Sequence, residues 1–156
     1  MVMVGKDSSK LVGDTDYDEV IKVASGTTVD DACRQMSERD IASVIVVDDS
    51  QFTTQGMPKE EVKGILTVRD VVNRVIGKGK DPSKVKVDEV MSPQVLTITS
   101  DTSVYRTCFL MNQNNYRQVP IMDGNSVSGM VTAHIINMEL IKTIINDINM
   151  MVAVFK

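Results

Sequence analysis

Three residues at fixed spacing carry the most chemistry in this chain: Gly64, Thr67 and Asp70, which return later as Gly129, Thr132 and Ile135. At each place a short β-branched run surrounds the glycine and ends at the threonine, after which the apolar period changes from strand-like to helix-like. In that setting Thr67 caps the following helix through its hydroxyl, and Asp70, at the third helical position, completes a capping box. The second copy keeps the threonine but has Ile135 where the acid should stand. Any difference in function between the two copies begins there.

No set of residues reads as a catalyst. His134 is the single histidine, no nucleophile motif accompanies it, and the carboxylates lack paired catalytic spacing. Gly77-Lys78-Gly79-Lys80 lacks the glycine spacing and terminal Ser/Thr of a phosphate-binding loop, and the Gly64 run is not a dinucleotide fingerprint. Cys33 and Cys108 sit in apolar helical patterns with no CxxC pair, so they read as small buried hydrophobes rather than a disulfide or zinc site. The eleven methionines recur with other apolar residues and read as core packing, with no metal site expected.

A chain of 156 residues with 42% hydrophobic content can bury a core as one domain or as two small modules sharing it. A formal charge of −4 gives no basic field for nucleic acid, and the lysines at Lys78, Lys80, Lys84 and Lys86 read as a solvated connector. No apolar run approaches the roughly 18 residues of a membrane span, and the polar start is unlike a signal peptide. The expectation is a soluble, cytoplasmic protein.

In chain order, residues 1–18 are polar and predict a loose arm that becomes ordered near Val20. Val20 to Val23 reads as a strand. Thr28 with Asp31 predicts a capped helix bearing Val29, Ala32, Cys33 and Met36, ending near Glu38 to Asp40. Ser43 to Val47 is a strong strand whose unbroken apolar character suits a central position covered on both faces. Asp48 to Glu61 is polar, broken by Gly56 and Pro58, and predicts a long loop or a small excursion before the Val62 to Leu66 strand. A helix follows from about Val68 to Ile76, ended by the Gly77 to Pro82 run.

The second pass repeats this order. Val29, Cys33, Met36, Val44 and Asp48 match Val104, Cys108, Met111, Val119 and Asp123 at an offset of 75, while Gly64 and Thr67 match Gly129 and Thr132 at an offset of 65. The difference locates a ten-residue insertion in the first copy, within Asp48 to Glu61. The chain therefore reads as a mixed α/β (α+β) protein of two pseudo-twofold modules, each strand-helix-strand-strand-helix. The divisions are a polar arm over 1–17, a first module over 18–77, a connector over 78–87, a second module over 88–149 and a tail over 150–156. The last helix, Ile135 to about Asn149, is more apolar than one solvated face requires; it either closes the core or meets another subunit. The apolar Met150 to Phe155 segment reads as an edge strand or as part of a longer chain.

With both repeats on the page, the chain resembles a tandem pair of cystathionine-β-synthase-type (CBS) domains, a Bateman module. In the first copy the resemblance rests on Val29-Asp30-Asp31-Ala32, Met36, Val44 to Asp48 and Gly64 to Asp70. In the second it rests on Asp88 to Ser92, Val95 to Ile98, Met111, Arg117 to Asp123 and Gly129 to Thr132. The resemblance covers about residues 18–149 and implies a regulatory module, not an enzyme, with adenosine-containing ligands held in the cleft between the modules.

Carried over residue by residue, the resemblance has Thr67 hydrogen-bond a phosphate at a helix N-terminus and Asp70 accept from the ribose hydroxyls, which needs a fixed carboxylate with free lone pairs. Met91, Leu96, Tyr116, Arg117 and Pro120 complete that pocket, apolar walls enclosing adenine and Arg117 meeting phosphate. The plainer readings stay open: Thr67 and Asp70 as a helix cap only, and Arg117 as a solvated arginine. The complementary pocket would use Ile21, Ile41, Ala42, Thr132, His134 and Ile135. Because Ile135 cannot accept a hydrogen bond, that pocket is empty, weak or adapted to another ligand.

The implied function is non-catalytic regulation by an adenosine nucleotide, with no cofactor required and AMP, ADP or ATP, or S-adenosylmethionine, as ligand. The partners implied are a second copy in a homodimer and a regulated protein, with no membrane. The alternative is a ligand-free structural or protein-interaction module, and a nucleic-acid accessory role rests only on the connector lysines.

Overall fold

The computed structural model describes residues 10–52 and 58–154. These form two compact units, one of residues 19–96 with 124–127, the other of residues 10–18, 97–123 and 128–154.

The first unit runs β1 (Ile21–Ala24), α1 (Val29–Glu38), β2 (Ser43–Phe52), β3 (Pro58–Thr67), α2 (Val68–Arg74), and a short α3 (Val87–Val90). Its sheet has the order β1-β2-β3, with β1 parallel and β3 antiparallel to β2. Thr28 caps α1 as the spacing predicts, its hydroxyl accepting from Asp31 N at 3.1 Å. The helix ends before Asp40, which turns the chain with φ 53°. Val44, Ile45 and Val46 are fully buried, so β2 is covered on both faces as its unbroken apolar run requires.

The polar stretch between Asp48 and Glu61 departs from expectation. Rather than a loop, its described parts extend β2 and β3 into a long hairpin that pairs Asp48 with Glu61, Gln51 with Lys59 and Phe52 with Pro58. Pairing uses the backbone, which every residue carries, so a polar composition does not prevent it. The ladder is irregular between Val46 and Val47 and between Asp48 and Gln51, and Pro58 stands at the first position of its strand, where a missing donor is tolerated. Gly56 lies outside the described residues. The helix after Thr67 ends at Arg74, two residues short of expectation, and passes into a 3-10 turn over Ile76–Lys78 closed by Gly79 at φ 65°.

Residues 85–92 belong to this unit. Val85, Val87 and Val90 lie in one buried cluster with Ile21, Val29, Met36, Leu66 and Val71. Val29 N donates to Val85 O and Val87 N to Thr27 O, each at 2.9 Å, while Asp88 accepts from Ser25 Oγ at 2.5 Å and Gly26 N at 2.6 Å. Ile65 and Ser92 exchange two backbone bonds of 3.0 and 2.8 Å. A Cβ added at Gly64 would lie 2.5 Å from Met91 Sδ and 2.8 Å from Ser92 O, so only glycine admits this crossing.

The second repeat, β4 (Ile98–Thr99), α4 (Val104–Asn114), β5 (Gln118–Asp123), β6 (Ser126–Thr132) and α5 (Ala133–Val154), has the same order with the sheet β4-β5-β6, and from residue 128 onward β6 and α5 belong to the second unit. Ser103 caps α4 by accepting from Arg106 N at 3.1 Å, and Asn115 ends it at φ 56°. Val12, Val104, Val119, Ile121, Val131 and Ile136 are among its buried residues.

The loose arm expected at the start is corrected here: residues 10–18 do for this unit what 85–92 do for the first. Val12 N donates to Thr102 O at 2.9 Å, Val104 N to Lys10 O at 2.8 Å, and Asp18 and Met130 exchange bonds of 2.9 and 3.0 Å. Val12 is wholly buried at the start of a 3-10 turn, and Thr15 donates to its carbonyl at 2.8 Å. One apolar anchor and a set of backbone bonds order a segment whose composition reads as solvated. Residues 1–9 lie outside the described residues.

α5 also departs from expectation, continuing through Met150 and Met151 to Val154 rather than yielding to an edge strand. No glycine or proline interrupts it, and methionine and alanine are good helix formers. Among the described residues no helix is long and apolar enough to cross a membrane. Glu139 is buried in α5 between Lys10 and Lys142, the latter at 2.7 Å. The cysteines are free and half-buried, and burial, aided by Asp30, pushes the Cys33 thiol up.

Two outcomes follow. Gly64→Ala is expected to lose about 2–3 kcal/mol in urea unfolding and Gly129→Ala about 1, since the added methyl group meets the bonded Ser92 carbonyl in one case and the movable Tyr17 ring in the other. Hydrogen bonds from Lys10 and then Lys142 hold the Glu139 carboxyl below the usual range. Its contribution is therefore present above the unfolded-state carboxylate value and is lost as pH falls through the lower folded one. Urea midpoints should fall through that acid window, and Glu139→Gln should flatten that part of the profile while lowering stability at neutral pH.

Candidate functional site

Thr67 is the last residue of β3 and the N-cap of α2, in extended backbone with φ −107° and ψ 160°. Its hydroxyl accepts from Asp70 N at 3.2 Å and donates to Asp70 Oδ2 at 2.7 Å, and Thr67 N donates to the same oxygen at 3.0 Å. The capping box read from the spacing is complete. α2 has seven residues, and two of its first amides are already engaged: Val68 N with Ala42 O at 3.0 Å, and Asp70 N with Thr67.

The other Asp70 oxygen faces Arg74, with Nη2 to Oδ1 at 3.3 Å and the Asp70 side chain 15% exposed. Arg74 Nη1 also donates to Val90 O at 2.7 Å and Met91 O at 3.1 Å, while Nη2 reaches Ser92 Oγ at 3.4 Å. Arg74 thus joins Asp70 to the segment that crosses Gly64. Sequence reasoning missed it, although an acid four residues before an arginine on one helix is a readable pair. Three donors meet the Asp70 carboxylate, which offers about four lone-pair sites, so its acceptor capacity is nearly filled.

Of the other residues assigned to the nucleotide site, Met91 packs half-buried against the first unit's core beside Gly64, and Leu96 is half-buried at the end of that unit. Tyr116, Arg117 and Pro120 lie in the second unit: Tyr116 half-buried with its amide on Met111 O at 2.9 Å, Arg117 exposed with its carbonyl accepting from Ala133 N at 2.8 Å, and Pro120 buried. Ala42 and Arg117 thus hold the same local position, each capping the first turn of the helix that follows its sheet.

The set assigned to the second pocket divides likewise. Ile21 is buried, Ile41 half-buried and Ala42 exposed in the first unit. In the second, Thr132 Oγ1 accepts from Ile135 N at 3.3 Å, Ile135 is half-buried and His134 exposed. No acid completes a capping box there, and the Ile135 side chain offers a ligand no polar contact. A cavity of about 380 Å³ in the first unit is lined by the end of α1, the entrance of β2 and α2, including Cys33, Met36, Ile41, Ala42 and Val68, and Asp70 is not among its lining residues. Its walls are mainly apolar, and its polar contributors are Ser37 and Asp40.

Comparison with known proteins follows the same division. The CBS domain family model matches residues 12–77 and 87–141. A Methanopyrus kandleri protein is 33% identical over 125 residues, covering 80% of this chain and 59% of that protein. A CBS domain-containing protein of Arabidopsis thaliana is 28% identical over 125 residues, covering 80% of this chain and 22% of that protein. The chain thus spans between about a fifth and three fifths of the lengths of these relatives. A solved CBS domain pair in complex with 5′-methylthioadenosine and S-adenosyl-L-methionine superposes with a TM-score of 0.67 at 23% identity, over 83% of this chain and 94% of that one, which shows the shared fold. Two matches in tandem, over most of a chain whose two repeats form the same strand and helix order, make this protein a member of the CBS-domain family, a tandem CBS pair.

Proposed function

We propose that this tandem CBS pair is a non-catalytic regulatory module that binds one adenosine-containing nucleotide through Thr67 and Asp70, with Met91, Leu96, Tyr116, Arg117 and Pro120 contributing. The observation that carries the reading is the retained acid at Asp70, oriented by Thr67 on one side and Arg74 on the other, where the second repeat has Ile135. A carboxylate fixed in this way suits paired ribose hydroxyls, which each donate one hydrogen bond. A CBS pair of the same fold binding two adenosine compounds supports the ligand class. AMP, ADP and ATP are the first candidates, with S-adenosylmethionine the next.

Binding exchanges partners at Asp70. The ribose competes with Arg74 for Oδ1 and with the Thr67 hydroxyl for Oδ2, freeing that hydroxyl toward phosphate. Because Arg74 also holds the Val90 and Met91 carbonyls, occupancy changes the packing of the segment that crosses Gly64. Regulation requires that the ligand prefer one arrangement of that segment over another, since equal affinity for both would transmit nothing. The module acts as a homodimer on a partner protein.

The test is calorimetric titration of nucleotide-stripped protein with AMP, ADP, ATP and S-adenosylmethionine. One site per chain is expected. Asp70→Asn, which keeps an acceptor for the cap, should weaken binding roughly tenfold or more, the scale of lost hydrogen bonds to a charged group. Saturable binding unchanged by Asp70→Asn would remove the ribose assignment. Absence of binding across the panel would favour a ligand-free interaction module.

A further inference from the structure

The cavity of about 380 Å³ in the first unit has no part in the nucleotide reading, since neither Thr67 nor Asp70 lines it. Its volume falls at the small end of the roughly 300–1,000 Å³ typical of small-molecule sites. Met36 and Val71 in its walls are buried, while Val68 and Val72 of α2 are 48% and 52% exposed.

Two polar side chains interrupt the apolar lining, Ser37 and Asp40. The turn that ends α1 places them together: Asp40 N donates to Ser37 O at 3.4 Å and Ile41 N to Met36 O at 2.9 Å, with Asp40 in the left-handed region that aspartate tolerates. Neither the Ser37 hydroxyl nor the Asp40 carboxylate has a side-chain hydrogen bond or ion pair among the described residues. Glu38 adds a second acid to this turn, and the neighbouring Arg39 is held by Glu19 at 2.9 Å, so negative charge is in excess there. Apolar walls beside unengaged acceptors select a compact apolar body that carries a hydrogen-bonding cation.

The second repeat does not keep this chemistry. At the offsets that align the repeats, Asp40 corresponds to Asn115, Ala42 to Arg117 and Val72 to Asn137. The acid is lost, a cation replaces a small side chain, and an apolar wall position becomes polar. The lining is therefore particular to the first repeat and is not demanded by the fold the two repeats share.

We infer that this cavity binds a small organic ammonium ion, its apolar body packed between α1 and α2 and its ammonium group hydrogen-bonded to Asp40 and Ser37. The inference goes beyond the nucleotide reading and does not rest on it.

The test is a methyl NMR titration of the full chain with benzylamine, which is protonated at neutral pH, and with its neutral and anionic counterparts, benzyl alcohol and benzoate. Benzylamine should saturate in about the millimolar range, the affinity open to a ligand of about eight heavy atoms, with shifts concentrated at Met36, Val68 and Val71. Benzyl alcohol should bind about tenfold more weakly, the scale that separates a charge-assisted hydrogen bond from a neutral one, and benzoate should not bind. Asp40→Asn should abolish the preference for the amine. Val72→Phe, which adds bulk at a half-exposed wall position, should weaken amine and alcohol alike, with circular dichroism confirming that each variant is folded. An amine that binds no tighter than the alcohol, or that binds Asp40→Asn as it binds wild type, overturns the inference. So do wall methyl groups that ignore all three probes, or that shift only as the protein itself is concentrated, the sign of a second copy covering the cavity. Titration of the same variants with AMP reads the Asp70 site separately.

Discussion

The constraint on which both units depend is a close crossing of backbone over glycine. At Gly64 the chain of Met91 and Ser92 passes so near β3 that a Cβ would overlap Met91 and the Ser92 carbonyl, and at Gly129 the ring of Tyr17 occupies the same place. Each crossing is held by a reciprocal pair of backbone bonds, Ile65 with Ser92 and Asp18 with Met130. The pairs anchor two segments outside the repeat each completes: 85–92, which follows the first repeat, and 10–18, which stands a whole repeat away from the second. Without them Val87 and Val90 in one unit, and Val12 in the other, would leave the core. The repeated glycine therefore has a structural reason before any ligand is considered.

The site inherits this arrangement. Thr67 and Asp70 lie three and six residues beyond the crossing strand's glycine, and Arg74 returns from the same helix to the carbonyls of the crossing segment. Asp70 is consequently one member of a connected set, and a change at its carboxylate reaches the segment without passing through a flexible loop. Such a set can report occupancy because its members already constrain one another.

How much of this was legible depended on sequence separation. The Thr67 and Asp70 box needs only neighbours three residues apart, so spacing revealed it; the same holds for Thr28 with Asp31 in α1. The repeat order was legible because its apolar periods change at the same places in both copies. Arg74 was not, since its carbonyl partners lie 16 and 17 residues away and backbone acceptors carry no residue type to recognise. The same holds for the segment 10–18: Leu11 and Val12 are a short apolar pair in otherwise polar surroundings, and backbone bonds to Thr102 and Met130 leave no mark in composition. The polar side chains of the Asp48 to Glu61 stretch carry no strand period, whereas its pairing rests on backbone groups that every residue type supplies.

The two repeats also differ in a coordinated way. At the offset of 65 that equates Thr67 with Thr132, Asp70 corresponds to Ile135 and Arg74 to Glu139. Both members of the second pair fasten a crossing segment, by opposite chemistry: Arg74 through donors to the Val90 and Met91 carbonyls, Glu139 through an acceptor for the Lys10 ammonium. With Arg74 on the helix, an acid four residues earlier is stabilised; with Glu139 there, an acid at 135 would be a like-charge neighbour on the same face, beside a carboxylate already buried. Isoleucine at 135 is thus consistent with the choice of glutamate at 139. The absent acid need not be isolated decay, because the second repeat has put its carboxylate to fastening residues 10–18, while the first keeps its own beside an arginine.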